Sequence, residues 1–475
     1  MRFPVPFKPS LREQSELFPP RVGDLVPAEH LVRVTLELVS QLDLSDFEAR
    51  YDPLGQRAYP PDVMLAILLY GVTQGVRSSR KLARMCREDI PMRWLSGVLN
   101  PDFRTISDFR KNHRAEICDL LAKVVRLARR LKVVKLSLWA VDGSVIKASA
   151  NTGKARKKRQ IKAELERLKE SIGREMDESD RIDKEEDDEH GEDDPGNGLP
   201  PGLRSKEDRA RRLREALEVI EQEDRETAHP TDPDSVQIKR RNKPSVSAYN
   251  AQLTVDTDSG LIVSADVCRD TNDQKQLTPQ VEQATENVQQ RPEAVVADLG
   301  YRSGANLEAM ERRSIGLFVP PTIHPQSDRF GRDDFIYDEL SDSFTCPAGK
   351  ELNFIQTHRD RQRSYARRKY RCAECEGCEL AGRCLRPGAK GRTIAVHEHE
   401  GLMKAADKRA ETAKGRAAAR KRRCTVEPAF GVIKAVLGLR QFATRGLNMV
   451  KAEFALAASA FNLLKLAKQG ALAAG

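Results

Sequence analysis

Hydrophobic residues recur at helical spacing in the first part of the chain, up to about residue 135. A helix is predicted from Pro60, because proline suits the first turn of a helix and the apolar residues that follow share one face. Gly75 interrupts this pattern, and a second helix is predicted from Ser78, a favourable N-cap residue. A third helix is predicted from Thr105, again with a hydroxyl side chain as its cap.

The second of these predicted helices is basic, with Arg80 and Lys81 in its first turn. A helix, a short turn and a basic helix are compatible with helix-turn-helix binding to DNA. The alternative is a helical bundle with a solvated basic face. We predict a helical DNA-binding region over residues 1–135, with Arg80 and Lys81 among its contacts.

Alternating and short apolar runs predict a sheet after this helical region. Residues 136–140 alternate and predict a strand that ends near Asp142. Residues 246–270 contain two β-rich runs around a turn and predict a hairpin. A helical segment follows, and then residues 295–297 predict a short buried strand that ends at Asp298. Strand, hairpin, helix and strand in this order are typical of a mixed α/β sheet.

Between the first strand and the hairpin lies a long charged segment with helical periodicity. Its apolar residues step by three and four, as in a narrow coiled-coil seam, and a second amphipathic helix follows an acidic, Gly/Pro-rich stretch. The pattern predicts a helical-hairpin insertion with an acidic tip. The seam consists of Ile161, Leu165, Leu168, Ile172 and Met176.

The last third of the chain is irregular, basic and cysteine-rich at first, and becomes helical from Met403. These changes in pattern divide the chain into a helical N-terminal region, three pieces of one α/β core and two insertions. The predicted boundaries are 1–135 for the N-terminal region, 136–152, 236–320 and 403–475 for the core, 153–235 for the helical hairpin and 321–402 for the cysteine-rich insertion.

Composition adds a charge pattern to this picture. The chain has 81 basic and 71 acidic residues, a net charge of +10. Residues 176–194 are strongly acidic, so the rest of the chain is more basic than the total shows. Two basic stretches stand out, 359–371 with interleaved tyrosines around Lys369, and 404–423. Positive charge with aromatic residues favours contact with nucleic acid, although a solvated face is the simpler explanation for any single run.

Several classes of protein are excluded by features of the sequence. The sequence has no apolar stretch long enough for a membrane span, and the first residues do not form a secretory signal. The nine cysteines are an odd number and five are bunched, which favours a reducing compartment, the cytoplasm. The bunched thiols predict a structural Zn²⁺ site, with reduced structural thiols as the alternative. They are Cys346, Cys372, Cys375, Cys378 and Cys384.

Two aspartates at the ends of predicted buried strands are candidates for chemistry. Asp142 and Asp298 are each followed closely by glycine, at the edge where α/β sheets place functional groups. Each alone is as compatible with a turn as with a metal ligand. Asp256, Asp258 and Asp273 are interpreted as ordinary turn and loop residues.

Glu427 is the third candidate carboxylate. It precedes Pro428, so we expect it near the start of a helix, where a glutamate can also serve as a partner of the helix dipole. Arg423 and Lys434 flank it, and Lys434 lies two helical turns further on the same face. A carboxylate beside basic residues suits a site that binds both metal and phosphate, whereas a solvated helix face remains the alternative for Lys434.

These motifs together resemble the DDE transposases of bacterial insertion sequences, which have a ribonuclease H-like catalytic core. The chain is most similar to the branch with a Tyr-x2-Arg-x3-Glu-x6-Lys signature. Arg423, Glu427 and Lys434 match that spacing, whereas Arg420 stands at the tyrosine position.

Other segments carry the same resemblance over most of residues 51–466, with the acidic hairpin outside it. WAVDGSVIKA and VVADLGYRSG resemble the two aspartate strands of the family. YDPLGQRAYPPDVMLAILLYG and TISDFRKNH resemble its helical N-terminal region, and GLRQFATRG with FALAASAFNLLKL its C-terminal tail.

The resemblance implies a site and a reaction. Asp142, Asp298 and Glu427 would hold two Mg²⁺ or Mn²⁺ ions, about 3.5–4 Å apart in such sites, for phosphodiester hydrolysis and strand transfer. The implied partner is double-stranded DNA, as transposon terminal inverted repeats and as target, bound by a homo-oligomer near the nucleoid. Arg423, Lys434 and Arg420 would contact its phosphates. The alternatives are a non-catalytic DNA-binding protein derived from a transposase, and a metal-dependent nuclease without strand transfer.

Overall fold

A computed structural model describes residues 21–52, 57–190, 201–240, 243–322, 328–359 and 365–472, without the side chains of 178–190, 201–204, 240 and 243. Most of the acidic tract 176–194, and part of the basic stretch 359–371, therefore lie outside the described side chains. No helix within these ranges is both long and apolar enough to span a membrane.

The N-terminal region is helical, as predicted. Its helices are α1 (Leu31–Ser40), α2 (Ser45–Glu48), α3 (Pro61–Thr73), α4 (Ser79–Glu88), α5 (Ile90–Leu95), α6 (Phe103–Asn112) and α7 (Arg114–Arg130). The prediction of one helix capped by Thr105 is wrong. Asp102 is the cap, because its carboxylate accepts from the backbone N–H of Arg104 at 2.7 Å and of Thr105 at 2.8 Å. The helical conformation is then interrupted at His113, which separates α6 from α7.

The middle of the chain alternates strands and helices. In chain order these are β1 (Leu138–Lys147), β2 (Arg156–Lys157), α8 (Lys158–His190), α9 (Pro201–Gln222), β3 (Thr227–Ala228), β4 (Val236–Arg240), β5 (Lys243–Asp256), β6 (Ile262–Cys268), α10 (Leu277–Val288), β7 (Ala294–Val296), α11 (Gly304–Arg312) and β8 (Gly316–Phe318). The protein is thus a mixed α/β protein, and the predicted hairpin, helix and short strand are present as β5, β6, α10 and β7.

A six-stranded sheet forms the centre of the molecule, and we call it the main sheet. Its order is β4-β5-β1-β7-β8, and β6 also pairs with β5. The pairs of β5 with β1, β4 and β6 are antiparallel, whereas β1–β7 and β7–β8 are parallel. Strand β1 therefore lies between an antiparallel half and a parallel half.

Strand β1 is longer than the sequence indicated. We expected it to end near Asp142, but it continues to Lys147, because residues after Asp142 pair with β5 as far as Ala248. Apolar residues no longer alternate after Asp142, because the second half of β1 is only half-buried. Without that alternation, the sequence did not predict the second half of the strand.

The two helices of the predicted hairpin, α8 and α9, pack against each other and form a small apolar cluster of their own. Ile161 and Leu165 are buried in it, whereas Met176, at the far end of the predicted seam, is 46% exposed. The two-residue strands β2 and β3 pair at the base of the hairpin.

The segment after residue 320, predicted to be irregular, contains a second sheet of five antiparallel strands. They are β9 (Ile336–Asp338), β10 (Ser343–Thr345), β11 (Glu351–Arg359), β12 (Ala366–Arg371) and β13 (Thr393–His397), with the short helix α12 (Ala381–Cys384) before β13. Its core is one-sided and centres on Phe344, Leu352 and Tyr370. The high charge of the strands masked their alternation.

Three helices complete the chain: α13 (Glu400–Glu411), α14 (Ala413–Ala435) and α15 (Leu447–Lys468). We expected Glu427 at a helix start, but it lies in the middle of α14, with Pro428 inside the helix. Proline there removes one backbone hydrogen bond, that to the carbonyl of Cys424. Because Cys424 and Pro428 are both exposed, water can hydrate that carbonyl.

Helix α15 joins the parts of the molecule. It contacts α1, α3, α7, α14 and β6, and more than half of its residues are buried. The amide of Asn462, fully buried, donates to the carbonyl of Ile262 and accepts from the N–H of the same residue, both at 2.8 Å. A polar side chain thus fixes the register of α15 against β6.

Glu453 on α15 ties the C-terminal part to the N-terminal region. Its carboxylate is 9% exposed, pairs with Arg77 from the turn between α3 and α4, and accepts from Ala443 and Thr444. Few groups in the described chain connect segments so far apart in sequence.

Glu453→Ala should lower the free energy of unfolding by about 3 kcal/mol, because it leaves the charge of the Arg77 guanidinium without its carboxylate partner at a poorly solvated position. Urea unfolding followed by circular dichroism measures this. Glu88→Ala, at a carboxylate that is 64% exposed and pairs with Arg84, is the matched control and should change stability by less than about 0.5 kcal/mol. Equal effects of the two substitutions would contradict the assigned role of Glu453.

Candidate active site

The two candidate aspartates lie side by side because their strands are parallel neighbours. Leu138 of β1 is opposite Ala294 of β7, and Ala140 is opposite Val296. Asp142 and Asp298 each follow two residues later, so the register brings them to the same level. The carboxylate of Asp298 accepts from the N–H of Gly300 at 2.8 Å, which closes the turn after β7.

Glu427 reaches the same place from α14, and an arginine links it to Asp142. Nη1 of Arg422 donates to Oδ2 of Asp142 at 2.9 Å, and Nη2 donates to Oε1 of Glu427 at 3.2 Å. The side chains of Arg422 and Asp142 are 15% exposed and that of Glu427 is 49% exposed. The sequence motif pointed to Arg423, but the guanidinium between the carboxylates belongs to its neighbour.

The electrostatics of Asp142 show that the three carboxylates act on one another. The pKa of Asp142 is raised to about 6, chiefly by burial and also by the negative charges of Asp298 and Glu427, against the opposing effect of the Arg422 guanidinium. The other oxygen, Oδ1, accepts from the N–H of Gly143 at 2.9 Å. Both oxygens of Asp142 therefore have a hydrogen-bond donor.

Lys434 lies on the same helix and points back to β1. Its Nζ donates to Oγ of Ser144 at 2.5 Å and to the carbonyl of Val145 at 3.3 Å. Burial lowers the pKa of Lys434, while the nearby negative charge of Asp142 opposes this. Lys434 is thus a partly buried cation that contacts β1 at Ser144, two residues after Asp142. It is not a solvated lysine on a helix face.

The remaining predicted DNA contacts lie on several surfaces. Arg420 and Arg423 are exposed on α14, and Arg80 and Lys81 are exposed on α4, with Arg80 stacked 5.0 Å from the ring centre of Phe103. Lys369 is half-buried on β12 of the second sheet. The structure therefore brings Lys434 to the carboxylates but leaves these other basic residues on the outside.

Asp273, which we interpreted as a loop residue, instead belongs to a polar network beneath the site. Its Oδ1 accepts from the amide of Asn250 at 2.7 Å and of Gln252 at 2.6 Å. Gln252 in turn accepts from the hydroxyl of Tyr301 at 2.5 Å, in the turn after Asp298. The network links the strand of Asp142 to the turn of Asp298. Polar residues at alternate positions of β5, an otherwise buried strand, were the signal in the sequence.

The five bunched cysteines lie at one end of the second sheet. Sγ of Cys346 accepts from the N–H of Lys350 at 3.3 Å, and Sγ of Cys375 accepts from the N–H of Arg392 at 3.4 Å. Cys372 is buried and burial raises the pKa of its thiol to about 11. N–H groups directed at sulfur suit thiolates, the form that binds zinc.

The donor chemistry at the carboxylates also fits a cation, since Mg²⁺ and Mn²⁺ prefer oxygen ligands. In the arrangement described, however, no three His, Cys, Asp or Glu side chains of the described residues are grouped closely enough to hold a metal ion. At Asp142 and Glu427 the positive charge is supplied by Arg422.

Comparison with known proteins gives two family matches. Residues 345–467 match the model described as Transposase DDE domain, and residues 20–112 match Transposase domain (DUF772). Glu427 and Lys434 lie in the first range, whereas Asp142 and Asp298 lie in neither. No curated protein matches the chain in sequence.

Among solved structures, a cryo-EM structure of a piggyBac transposase synaptic complex with hairpin DNA is similar at a TM-score of 0.31 and 9% identity. The similarity covers 92% of this chain and 74% of that one.

The matches at both ends of the chain define an enzyme that cleaves and transfers DNA, a DNA transposase. More narrowly, the two family matches support a DDE transposase of the insertion-sequence type, as the sequence motifs predicted.

Gly143→Ala should disturb this site, because a Cβ there would lie 2.4 Å from Oδ1 of Asp273 and 2.5 Å from Nε2 of Gln252. We expect a loss of about 1–3 kcal/mol in stability, from overpacking of a buried network. Thermal unfolding measures the loss. The control is Gly431→Ala on α14, where a Cβ meets no atom within 4 Å. A Gly143→Ala protein as stable as the control would show that the network does not require the glycine.

Proposed function

We propose that Asp142, Asp298 and Glu427 are the catalytic triad of this transposase and bind two Mg²⁺ or Mn²⁺ ions. The observation that carries the proposal is the parallel register of β1 and β7, which aligns the two aspartates, with Glu427 joined to Asp142 through Arg422. The raised pKa of Asp142 supports it, because negative charges crowded in a buried site are typical of a cation-binding centre.

We further propose that the main sheet is a ribonuclease H-like core. Support comes from its order, in which three antiparallel strands, β6, β5 and β1, are followed by two parallel strands, β7 and β8. In this proposal the core comprises residues 136–152, 236–320 and 403–475. Residues 153–235 and 321–402 are insertions into it, and residues 1–135 form the helical DNA-binding region.

The chemistry follows from these side chains. When bound, the divalent ions would activate a water or a 3′-hydroxyl of the DNA and would stabilise the leaving oxygen of the phosphodiester. Asp142 on β1, Asp298 in the turn after β7 and Glu427 on α14 would hold the ions. Lys434, held at β1 by Ser144, provides a fixed positive charge for a phosphate close to the triad.

We also propose that the DNA follows the exposed basic face of α14, with Arg420 and Arg423, and contacts Arg80 and Lys81 on α4. The substrates are the terminal inverted repeats of the element and a target duplex. The protein acts as a homo-oligomer on DNA in the cytoplasm, since joining two ends requires two active sites. A strand-transfer assay with such ends separates this function from that of a nuclease that only hydrolyses DNA.

The second sheet contributes a further DNA contact in this proposal. Arg367, Lys369 and Arg371 alternate with Arg368 and the buried Tyr370, so they lie on the face opposite the apolar core of that sheet. At the other end of the sheet, we propose that the cysteines bind a structural Zn²⁺ ion. Metal analysis of protein purified without chelator distinguishes zinc from a cluster of reduced thiols.

Replacing all three residues Arg367, Lys369 and Arg371 with Gln should weaken binding to duplex DNA and flatten its salt dependence. The logarithmic slope should fall by about 0.9 for each phosphate that the protein no longer neutralises. Fluorescence anisotropy over a salt series measures both effects. The same change at Arg211, Arg212 and Arg214, exposed on α9, removes equal charge and should leave the slope nearly unchanged. Equal slopes for the two triple variants would exclude the sheet as a DNA-binding surface.

Asp142→Asn, Asp298→Asn and Glu427→Gln should each reduce Mg²⁺-dependent cleavage of element-end DNA by about 10²–10³-fold, the range for removing one stabilising group from a preorganised site. Binding of the same DNA should persist, because the triad does not supply the affinity. Glu411→Gln, exposed at the end of α13, is the control and should cleave normally. Full activity of any triad variant would refute the assignment.

A further inference from the structure

Arg422 holds the position between two of the proposed metal ligands. Its guanidinium donates to Asp142 with one nitrogen and to Glu427 with the other. We infer that Arg422 is a built-in competitor of the divalent cation: in DNA-free protein its guanidinium occupies the carboxylates and must leave before metal binds there. This inference rests on the proposed triad.

The competition follows from the hydrogen bonds that the two carboxylate oxygens of Asp142 already accept. Oδ1 of Asp142 is already bonded to the N–H of Gly143, so Oδ2 is the oxygen with which a cation would most readily interact. That oxygen is 2.9 Å from Nη1 of Arg422. A guanidinium and a divalent ion compete for it, because two positive charges held at one oxygen repel each other.

Two other basic residues of α14, Arg423 and Lys434, do not take this place. Arg423 is exposed on α14, and Nζ of Lys434 is engaged with Ser144 and the carbonyl of Val145. Arg422, by contrast, is 15% exposed and makes its bond to Asp142 in a poorly solvated setting, where charge-assisted hydrogen bonds are strong. Withdrawing it without another cation would leave the carboxylates to repel one another.

DNA offers the guanidinium an alternative partner. A phosphate group accepts two parallel hydrogen bonds from arginine, as a carboxylate does. A phosphodiester bound along α14 can therefore draw Arg422 away while metal replaces it at the carboxylates. Binding of DNA and of metal then favour each other, and this linkage is reciprocal. Metal occupancy would be low until DNA is present.

The test is Mn²⁺ binding to the full-length protein without DNA, followed by electron paramagnetic resonance of the free ion. Arg422→Gln should bind Mn²⁺ about tenfold more tightly than the unsubstituted protein, because two charge-assisted hydrogen bonds no longer compete. Arg423→Gln removes the same charge one residue away and should change the affinity by less than about twofold, since the exposed charge is screened. Asp142→Asn, in either background, should abolish the tight binding.

Arg422→Lys covers the case in which the Gln variant fails to fold. A lysine keeps the charge but reaches one carboxylate at a time, so its Mn²⁺ affinity should rise by about threefold. Thermal unfolding in EDTA checks that each variant is folded.

The outcomes separate the inference from the proposed triad. Asp142-dependent Mn²⁺ binding of equal strength in the unsubstituted, Arg422 and Arg423 proteins would overturn the competition and leave the triad intact. An equal gain in the Arg422→Gln and Arg423→Gln proteins would also overturn it, because the effect would be one of general charge. Binding that is insensitive to Asp142 in every variant would overturn the metal site and the inference together.

Discussion

Burial of helix α15 is the constraint on which the rest of the molecule depends. This one helix packs against N-terminal helices, the β6 edge of the main sheet and α14, which carries Glu427. It is apolar on several sides, and Glu453 in its first half and Asn462 in its second half add fixed polar connections. The position of Glu427 relative to the aspartates therefore depends on a core that collects residues from nearly the whole chain. The two matched ranges of the sequence are parts of one packed unit.

The arrangement of side chains in the site depends on their charges. The negative charges of Asp298 and Glu427 act on the largely buried carboxylate of Asp142, and positive charge nearby stabilises such an arrangement. The fold provides this charge in two ways. Lys434 is fixed at β1 by the oxygens of Ser144 and Val145, whereas Arg422 bonds directly to the carboxylates. A cation that is fixed beside the carboxylates suits the binding of substrate. A cation that is bonded directly to the carboxylates suits exchange with another cation.

Much of this could be predicted from sequence where local pattern and burial agree. The N-terminal helices, the β5–β6 hairpin and the paired helices α8 and α9 have clear periodicity, and the motif residues Asp142, Asp298 and Glu427 were recognisable from their contexts. The prediction failed where tertiary contacts override local signals. Pro428 indicated a helix start but lies inside α14, and the charged strands of the second sheet resembled a loop. Arg422 and Asp273 form hydrogen bonds to residues that are brought near them by the fold. The spacing of residues in the sequence alone does not reveal these contacts.

The paired strands β2 and β3 have a consequence for how the chain tolerates the helical hairpin. Arg156 and Lys157 are opposite Ala228 and Thr227, so the hairpin leaves and re-enters the main fold at nearly one point. Closing a long loop costs conformational entropy that grows with its length. Here the hairpin, with an apolar cluster of its own, closes that loop itself. The strands of the main sheet before and after the hairpin are therefore connected as if by a short turn. The length and composition of the hairpin tip can change through evolution with little effect on the folding of the core.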